Sequence, residues 1–369
     1  MLSPISCSPV ARFRYSERMD DRSTRSSPSR TRQRHSWVRL PDEQLLQLRF
    51  CDLQLKLPGS ALERRLQHIY DELQRRGIGF RPHMWLAEEW FSPDGIPGIA
   101  VPFYLAHPRL MQLERHQMKQ VEGGNANWLR RILRHEAGHA IDTAYRLRYR
   151  RAWREVFGPP GKPYPDSYQV RPASRRYVHH LGDWYAQSHP TEDFAETFAV
   201  WLKPKSDWRH SYAGWPAYDK LLFVDELMQS LRDVPPLVRS RAHVEPLCDN
   251  RSSLADHYAA KVARYGQYPP SDADALLRRV FTCRPARETA PLASALLREC
   301  RSRVATAVAL EAGVDRYTVH QVLRRAIGRC DELQLRARGA RRTGMRDART
   351  MLVKLVGLLA ANRVTSIKL

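Results

Sequence analysis

The segment that most constrains this chain is LRRILRHEAGHAIDTAYRL, at residues 129–147. Apolar residues recur in it at helical spacing, from Leu129 to Ile141, so the segment predicts an amphipathic helix. His135 and His139 enclose Glu136 in the pattern HExxH. Because residues four apart lie on one face of a helix, both imidazoles are expected to reach one metal ion.

Zinc suits two imidazoles, since it accepts nitrogen ligands at about 2.0–2.1 Å. We predict one catalytic Zn²⁺ held by His135, His139 and a third protein ligand, with a water in the fourth position. Zinc lowers the pKa of such a water towards about 7, and Glu136 then acts as its general base. The other interpretation is a pair of surface histidines on an amphipathic helix.

The third ligand must come from elsewhere in the chain. Asp142 and Tyr145 stand where a metzincin would carry Gly and His, which excludes that class. A short-spacing gluzincin would need a glutamate near VFGPPGKPY, where Glu155 is the only glutamate and precedes the helix breaker, which argues against that class too. HPTEDFAETFAVW, at residues 189–201, instead offers two glutamates four apart on a predicted helix. We assign Glu192 as the ligand and Glu196 as the residue that orients a zinc-bound histidine, with the reverse, or Asp193, as alternatives.

HEAGHAIDTAY and HPTEDFAETFAVWL together resemble the bacterial zinc-binding metallopeptidase family, a long-spacing gluzincin group. The helix pattern is also similar to that of the anthrax lethal factor protease. The resemblance implies an α+β, zincin-like metallopeptidase domain with a small sheet and an HExxH active-site helix. It also supports Glu192 as the ligand and implies a catalytic role for Tyr185, seven residues earlier. Without it, Tyr185 would be interpreted as a packed aromatic beside Trp184.

Other polar residues near the two motifs allow two interpretations each. Asp142, one turn beyond His139, is expected to support the site by hydrogen bonding, although a plain surface aspartate fits equally. His179 and His180 are candidates to replace a ligand or to assist catalysis, but paired loop histidines are usually only polar. His189 precedes a proline and is expected to help start the helix that follows.

The chain around the motifs predicts a mixture of helices and a few strands. Residues 60–77 predict a helix capped by Ser60, and a helix is expected from Asn125 or Asn127 to about Phe157. Another helix is predicted from about Thr191 to Leu202. The stretches RPHMWLAEEWFSP and DGIPGIAVPFYL predict a small antiparallel sheet. Its GIPGIAVPFYL segment fits two interpretations equally, an edge that binds an extended peptide or an ordinary core strand.

Charge and composition suggest three regions. Residues 1–38 are rich in Ser and Arg and predict a disordered basic arm. Residues 39–240 form the predicted metallopeptidase domain, and 241–369 a mainly helical basic C-terminal region. The chain carries 61 Lys and Arg against 39 acidic residues, a net charge of +22. Such an excess makes a polyanion, nucleic acid for example, a candidate partner through the basic arm and the C-terminal region.

These observations favour a zinc metallopeptidase that acts on a peptide or protein substrate. The alternative is a non-catalytic basic protein that binds nucleic acid or an anionic surface, with its zinc structural or absent. The six cysteines form no CxxC pair, which favours reduced thiols and a cytoplasmic location. No apolar stretch approaches the roughly 20 residues of a membrane span.

Overall fold

The computed structural model describes residues 35–118, 120–165, 167–171, 174–182, 184–263, 272–283, 290–314, 316–338, 341–360 and 366–368. These residues belong to the compact unit Ser36–Leu369, apart from His35. The predicted basic arm lies outside the described residues except at its end. There, Ser36–Arg39 forms a short 3-10 helix whose Trp37 side chain is buried.

Most of the described residues are helical. The helices as far as residue 261 are α1 (Asp42–Leu46), α2 (Ala61–Leu66), α3 (His68–Arg75), α4 (Pro108–Met118), α5 (Ala126–Tyr145), α6 (Arg151–Phe157), α7 (Pro190–Leu202), α8 (Trp208–Ser211), α9 (Pro216–Ser230) and α10 (Leu254–Lys261). The later ones are α11 (Asp272–Val280), α12 (Ala293–Ala312), α13 (Arg316–Glu332) and α14 (Arg341–Ala360). The strands are β1 (His83–Ala87), β2 (Gly98–Pro102), β3 (Ser167–Gln169), β4 (Phe281–Thr282), β5 (Arg336–Ala337) and β6 (Ser366–Lys368).

The helix predicted over 60–77 is divided into α2 and α3. The Ser60 side chain accepts a hydrogen bond from the Glu63 N–H, which confirms the predicted N-cap. Gln67 separates the two helices but keeps right-handed helical backbone angles, so the interruption is slight. The sequence therefore predicted the cap correctly and the continuity of the helix incorrectly.

Helix α5 is shorter than the sequence predicted. Asn125, one of the two predicted caps, precedes its first residue, and its side chain accepts hydrogen bonds from two backbone N–H groups. The helix ends at Tyr145 because Arg146 adopts a left-handed backbone conformation with φ 51°. The Ala144 carbonyl then accepts the N–H groups of Leu237 and Val238 in place of helical donors. Contacts with a distant segment thus end a helix that local sequence would extend.

The strands β1 and β2 pair in parallel, from His83 opposite Gly98 to Ala87 opposite Pro102. The antiparallel sheet predicted for this region is therefore wrong. Parallel neighbours need a crossover connection, and residues 88–97 supply it. Within this connection Phe91 forms an isolated antiparallel bridge to Ala100 on β2. The other two sheets among the described residues are antiparallel pairs, β3 with β6 and β4 with β5.

Two large hydrophobic clusters stabilise the described residues. The first runs from Trp37 to Tyr258 and contains α5 and α7, whereas the second runs from Leu277 to Val356 and contains α12, α13 and α14. The predicted division into an arm, a peptidase domain and a helical region stays a prediction. None of the described helices has the length and apolar composition that crossing a bilayer requires.

Helices α5 and α7 approach each other closely at Gly138. A Cβ atom placed on Gly138 would lie 2.9 Å from the Ala195 Cα and 3.2 Å from its carbonyl oxygen. Real Cβ atoms essentially never come so near to backbone, so only glycine fits at this crossing. The contact holds the HExxH segment of α5 against the start of α7, where the polar side chains of both helices meet.

Candidate metal centre

Three side chains from α5 and α7 converge at one point. His135 Nε2 and His139 Nε2 are 3.1 Å apart, and Glu192 Oε2 lies 3.0 Å from the first and 3.2 Å from the second. Each residue offers one ligand atom, and all of these atoms lie within 4.8 Å of one another. Within the described part of the chain, no other set of three or more His, Cys, Asp or Glu residues meets that condition.

The spacing of these atoms fits a zinc ion. Ligands bound tetrahedrally at about 2.0–2.1 Å from zinc lie about 3.3 Å from one another, close to the three observed separations. Two imidazole nitrogens and one carboxylate oxygen are also a donor set that zinc uses in catalytic sites. The side chains of His135 and Glu192 are buried, at 3% and 6% exposure, whereas that of His139 is 13% exposed. A metal held here would therefore be approached from the side of His139.

Helix α7 starts where the sequence predicted, and His189 caps it. The His189 side chain accepts a hydrogen bond from the Thr191 N–H, and Pro190 occupies the first turn. His189 Nε2 lies 2.7 Å from the Lys162 carbonyl, to which it donates in the tautomer that the cap requires. The role predicted for His189 is confirmed. This cap places Glu192 in the first helical turn, facing α5.

Glu196 lies one turn after Glu192 and contacts the other ring nitrogen of His135. Its Oε1 is 3.0 Å from His135 Nδ1, and its Oε2 accepts the Leu181 N–H at 2.8 Å. A protonated Nδ1 that donates to Glu196 leaves the Nε2 lone pair directed at Glu192 and His139. Such a carboxylate fixes both the tautomer and the orientation of a metal-ligating histidine.

The electrostatic field at this point favours positive charge. Burial alone would lower the pKa of His135, but hydrogen bonds and charge interactions with Glu192 and Glu196 outweigh it and raise that pKa well above its usual value. Burial would likewise raise the pKa of Glu192, but the charges and hydrogen bonds of His139 and His135 hold it well below its usual value. Two carboxylates around two imidazoles therefore stabilise a cation at the centre.

Glu136 is buried beside the centre, with 7% exposure. Its Oε2 accepts a hydrogen bond from the Ser92 hydroxyl at 3.0 Å. Ser92 belongs to the connection between β1 and β2, so the crossover brings a hydroxyl donor to the carboxylate. Ser92 was not predicted from the sequence, because a lone serine in WFSP carries no signal of its role.

Two tyrosines border the centre. The half-buried Tyr185 ring lies 5.5 Å from the His135 ring, centroid to centroid. Burial, followed by the charge of Glu192, raises the pKa of Tyr185 well above its usual value, so its phenol stays protonated. Tyr164, which was not predicted from the sequence, donates from its hydroxyl to Glu192 Oε1 at 2.6 Å and stacks on the His189 ring at 3.9 Å. Its position between two prolines in KPYPD indicated only a loop.

The remaining acidic candidates have other partners. Asp142 is fully buried and accepts hydrogen bonds from the Arg148 backbone N–H at 2.8 Å and from its Nε at 2.7 Å. Asp193, the third choice for the ligand, forms an ion pair with Lys220. Burial raises the pKa of Asp193 to about 6, although Lys220 opposes the shift.

The paired histidines also lie in buried surroundings. His180 Nε2 is 2.8 Å from the Arg131 carbonyl, and the His179 backbone N–H donates to the Tyr212 hydroxyl. Burial lowers the pKa of His179 to about 4 and that of His180 well below its usual value. Both imidazoles are therefore neutral at pH 7.

Residues 112–211 match the model of a family described as "Putative zinc-binding metallo-peptidase". This match confirms the resemblance. A search of the curated proteins and a search of the solved structures each gave no significant match.

The metallopeptidase match contains α5, α7 and the residues between them, so all three candidate ligands and both tyrosines fall within it. Ser92 and the strands β1 and β2 lie outside it. The matched stretch thus supplies the candidate metal centre, while the segment that contacts Glu136 comes from an earlier part of the chain.

Proposed function

We propose that this protein is a zinc-dependent metallopeptidase that hydrolyses peptide bonds in a peptide or protein substrate. One observation carries the proposal. His135, His139 and Glu192 are up to 57 positions apart in sequence, yet each places one ligand atom within 4.8 Å of the other two. The family match over 112–211 supports the substrate class.

In this proposal His135 and His139 would hold zinc through an imidazole nitrogen each, and Glu192 would hold it through a carboxylate oxygen. Glu196 holds His135 through Nδ1, and the long spacing between the two motifs makes the ligand set gluzincin-like. When it is bound, the ion supplies Lewis acidity. Helices α5 and α7 with strand β2 would form a zincin-like domain in which α5 is the active-site helix.

Glu136 is the proposed general base. Its carboxylate removes a proton from the attacking water and delivers it to the amine of the leaving group. The hydrogen bond from Ser92 holds one carboxylate oxygen, which leaves the other oxygen to exchange the proton. Burial of Glu136 keeps bulk water away from this transfer.

Tyr185 is the proposed oxyanion donor. A phenol whose pKa is raised remains a hydrogen-bond donor at neutral pH, and it can stabilise the negative oxygen that develops as the substrate carbonyl becomes tetrahedral. Tyr164 would orient Glu192 through its 2.6 Å hydrogen bond. We expect loss of Tyr185 to lower kcat and loss of Tyr164 to weaken metal binding.

The alternative, a non-catalytic protein that binds a polyanion, is not favoured, because the family match is to a peptidase. Binding of nucleic acid through the basic regions has no support beyond composition. A cytoplasmic location and a boundary near residue 240 likewise stay predictions from the sequence.

Glu136→Gln tests the proposal with little change in shape. We expect this variant to retain stoichiometric zinc and lose more than about 99% of peptide hydrolysis, because the amide cannot accept the proton. Glu155→Gln, which alters an exposed glutamate on α6, is the matched control and should keep full activity. The measurements are zinc content after purification and cleavage of a peptide library with added zinc. Wild-type protein without stoichiometric zinc, or a Glu136→Gln variant with full activity, would refute the proposal.

A further inference from the structure

A cavity of about 490 Å³ lies at the C-terminal end of α5, beyond the metal centre. Small-molecule sites usually have volumes of about 300–1,000 Å³, so the cavity has the size of a ligand site. Its apolar walls come from Phe80, Pro97, Tyr145 and Val238. Tyr145 lies six residues after His139 on α5, which is about 9 Å along the helix axis.

Three arginines line this cavity, Arg81, Arg239 and Arg241, against one acidic residue, Asp233. Burial lowers the pKa of the lining His83, so that imidazole is neutral at pH 7 and the lining carries a net charge of +2. Among the residues that the structure describes, no acid forms an ion pair with any of these guanidinium groups. Three like charges are therefore held around one cavity, and a single acidic residue of the lining offsets them in part.

The backbone that carries two of these arginines is anchored on both sides. His83 Nε2 lies 3.0 Å from the Ala242 carbonyl, next to Arg241, and Trp85 Nε1 donates to the Val244 carbonyl at 2.9 Å. The Tyr145 hydroxyl donates to the Val234 carbonyl at 2.9 Å.

The same segment is fixed to α5 a second time next to Arg239, where the Val238 N–H donates to the Ala144 carbonyl at 3.0 Å. Because buried side chains and the end of α5 fix this segment, its arginines are presented from an ordered backbone. Such preorganisation lowers the entropic cost of binding a ligand.

We propose that this cavity binds a small anion that carries more than one phosphate group. A guanidinium offers five N–H donors in a planar fork that matches phosphate oxygens. Three such groups provide more donors than the two oxygens of a single carboxylate can accept, so a diphosphate uses them better. This site is separate from the metal centre and does not depend on the proposed peptidase activity.

The test uses the full chain and inorganic pyrophosphate as the probe, in calorimetric titrations at about 0.15 M salt, where long-range attraction is screened. We expect saturable binding with one site. Arg239→Ala and Arg241→Ala should each weaken it at least about tenfold, because each removes charge-assisted hydrogen bonds. Both side chains are exposed, so neither substitution leaves a cavity in the core.

Two control variants distinguish binding in this cavity from binding elsewhere on the chain. Arg346→Ala removes an exposed arginine of α14 and should leave the affinity unchanged. His139→Ala alters the metal centre and should also leave the affinity for pyrophosphate unchanged. If pyrophosphate instead bound to the metal, this variant would lose the binding. A peptide of four glutamates should compete poorly.

Three results would overturn the inference. One is a loss of pyrophosphate affinity in Arg346→Ala that equals the loss in Arg239→Ala and Arg241→Ala, which would indicate attraction to the total charge of the chain. Another is a loss of pyrophosphate binding in His139→Ala while Arg239→Ala and Arg241→Ala bind it as tightly as wild type. The last is competition by the acidic peptide as strong as that by pyrophosphate, which would assign the cavity to acidic protein segments instead.

Discussion

At the scale of single residues, His135 is placed between two carboxylates. Its Nε2 lies 3.0 Å from Glu192 and its Nδ1 lies 3.0 Å from Glu196. The two contacts have different consequences, because one carboxylate shares the metal position and the other controls the orientation of the ring. Substitution at each glutamate can therefore separate binding of the ion from orientation of its ligand.

Glu196→Ala is expected to lower zinc affinity by about 10–100-fold while leaving a bound ion possible, since it removes only the residue that orients His135. Glu192→Ala should lower the affinity more, because it removes a ligand. Competition for zinc with a chelator measures the zinc affinity of both variants. Glu226→Ala, at an exposed site on α9, is the control. If Glu196→Ala bound zinc as tightly as wild type, the proposed role of Glu196 would be wrong.

Proton release should accompany zinc binding at pH 7. The raised pKa of His135 means that the metal-free chain holds a proton there, which zinc must displace. That raised pKa stabilises the metal-free fold at pH below about 6.5, and this stabilisation is lost as pH rises through the raised value. Zinc affinity should therefore increase with pH. Calorimetry in buffers of different ionisation enthalpy counts the protons, and Glu196→Gln should release fewer. Binding without any proton release at pH 7 would contradict the assignment.

At the scale of secondary-structure elements, the centre depends on the close contact of α5 with α7. All three proposed ligands, His135, His139 and Glu192, lie on these two helices, and Gly138 sets how near the helices come. The 2.9 Å approach to Ala195 is to backbone, which cannot rotate away as a flexible side chain could. The distance between the helices is thus fixed by one position inside the HExxH motif.

Gly138→Ala is expected to destabilise the fold by about 1–3 kcal/mol, because the added methyl group must push the two helices apart. It should also lower zinc affinity, since His135 and Glu192 would separate. Gly357→Ala is the matched control, because Gly357 is an exposed position on helix α14 with open space around it. There alanine should be neutral or stabilising by up to about 1 kcal/mol. Urea unfolding measures the free energy of unfolding of both variants. Equal stability of Gly138→Ala and Gly357→Ala would contradict the role of Gly138.

At the scale of the whole molecule, Arg329 of α13 connects the second hydrophobic cluster to residues near α5. It pairs with Asp274 at 2.7 Å and with Glu332 at 3.0 Å, and it donates to Gln120 at 2.6 Å. Arg131 of α5 pairs with the same Glu332 at 3.0 Å. The C-terminal helices are therefore fixed to the helix that carries the metal centre through a largely buried network of charges.

Arg329→Ala should destabilise the protein by about 3 kcal/mol, because it removes a positive charge from two carboxylates whose side chains are only 9% exposed. Arg349→Ala is the comparison, since its pair with Glu311 is about half exposed on both sides and contributes only about 0–1 kcal/mol. Denaturant unfolding of both variants is the measurement. A smaller loss in Arg329→Ala than in Arg349→Ala would show that the network is not stabilising.

The sequence alone determined the local features of this protein. Spacing of four residues placed His135 with His139 and Glu192 with Glu196, because helical geometry repeats over that interval. Side chains that bond to nearby backbone groups also determined the starts of α2, α5 and α7. The two motifs were sufficient to indicate the similarity to the zinc-binding metallopeptidase family, whose model matches residues 112–211.

Only the tertiary structure decided which distant groups meet. The end of α5 at Tyr145 and the contacts of Ser92 and Tyr164 with the centre depend on segments far apart in the chain. The parallel pairing of β1 and β2 depends on the crossover that residues 88–97 make between them. The cavity with its three arginines has the same origin. Local sequence patterns report the geometry of a few consecutive residues, whereas these contacts form only when the hydrophobic side chains of many segments are buried together.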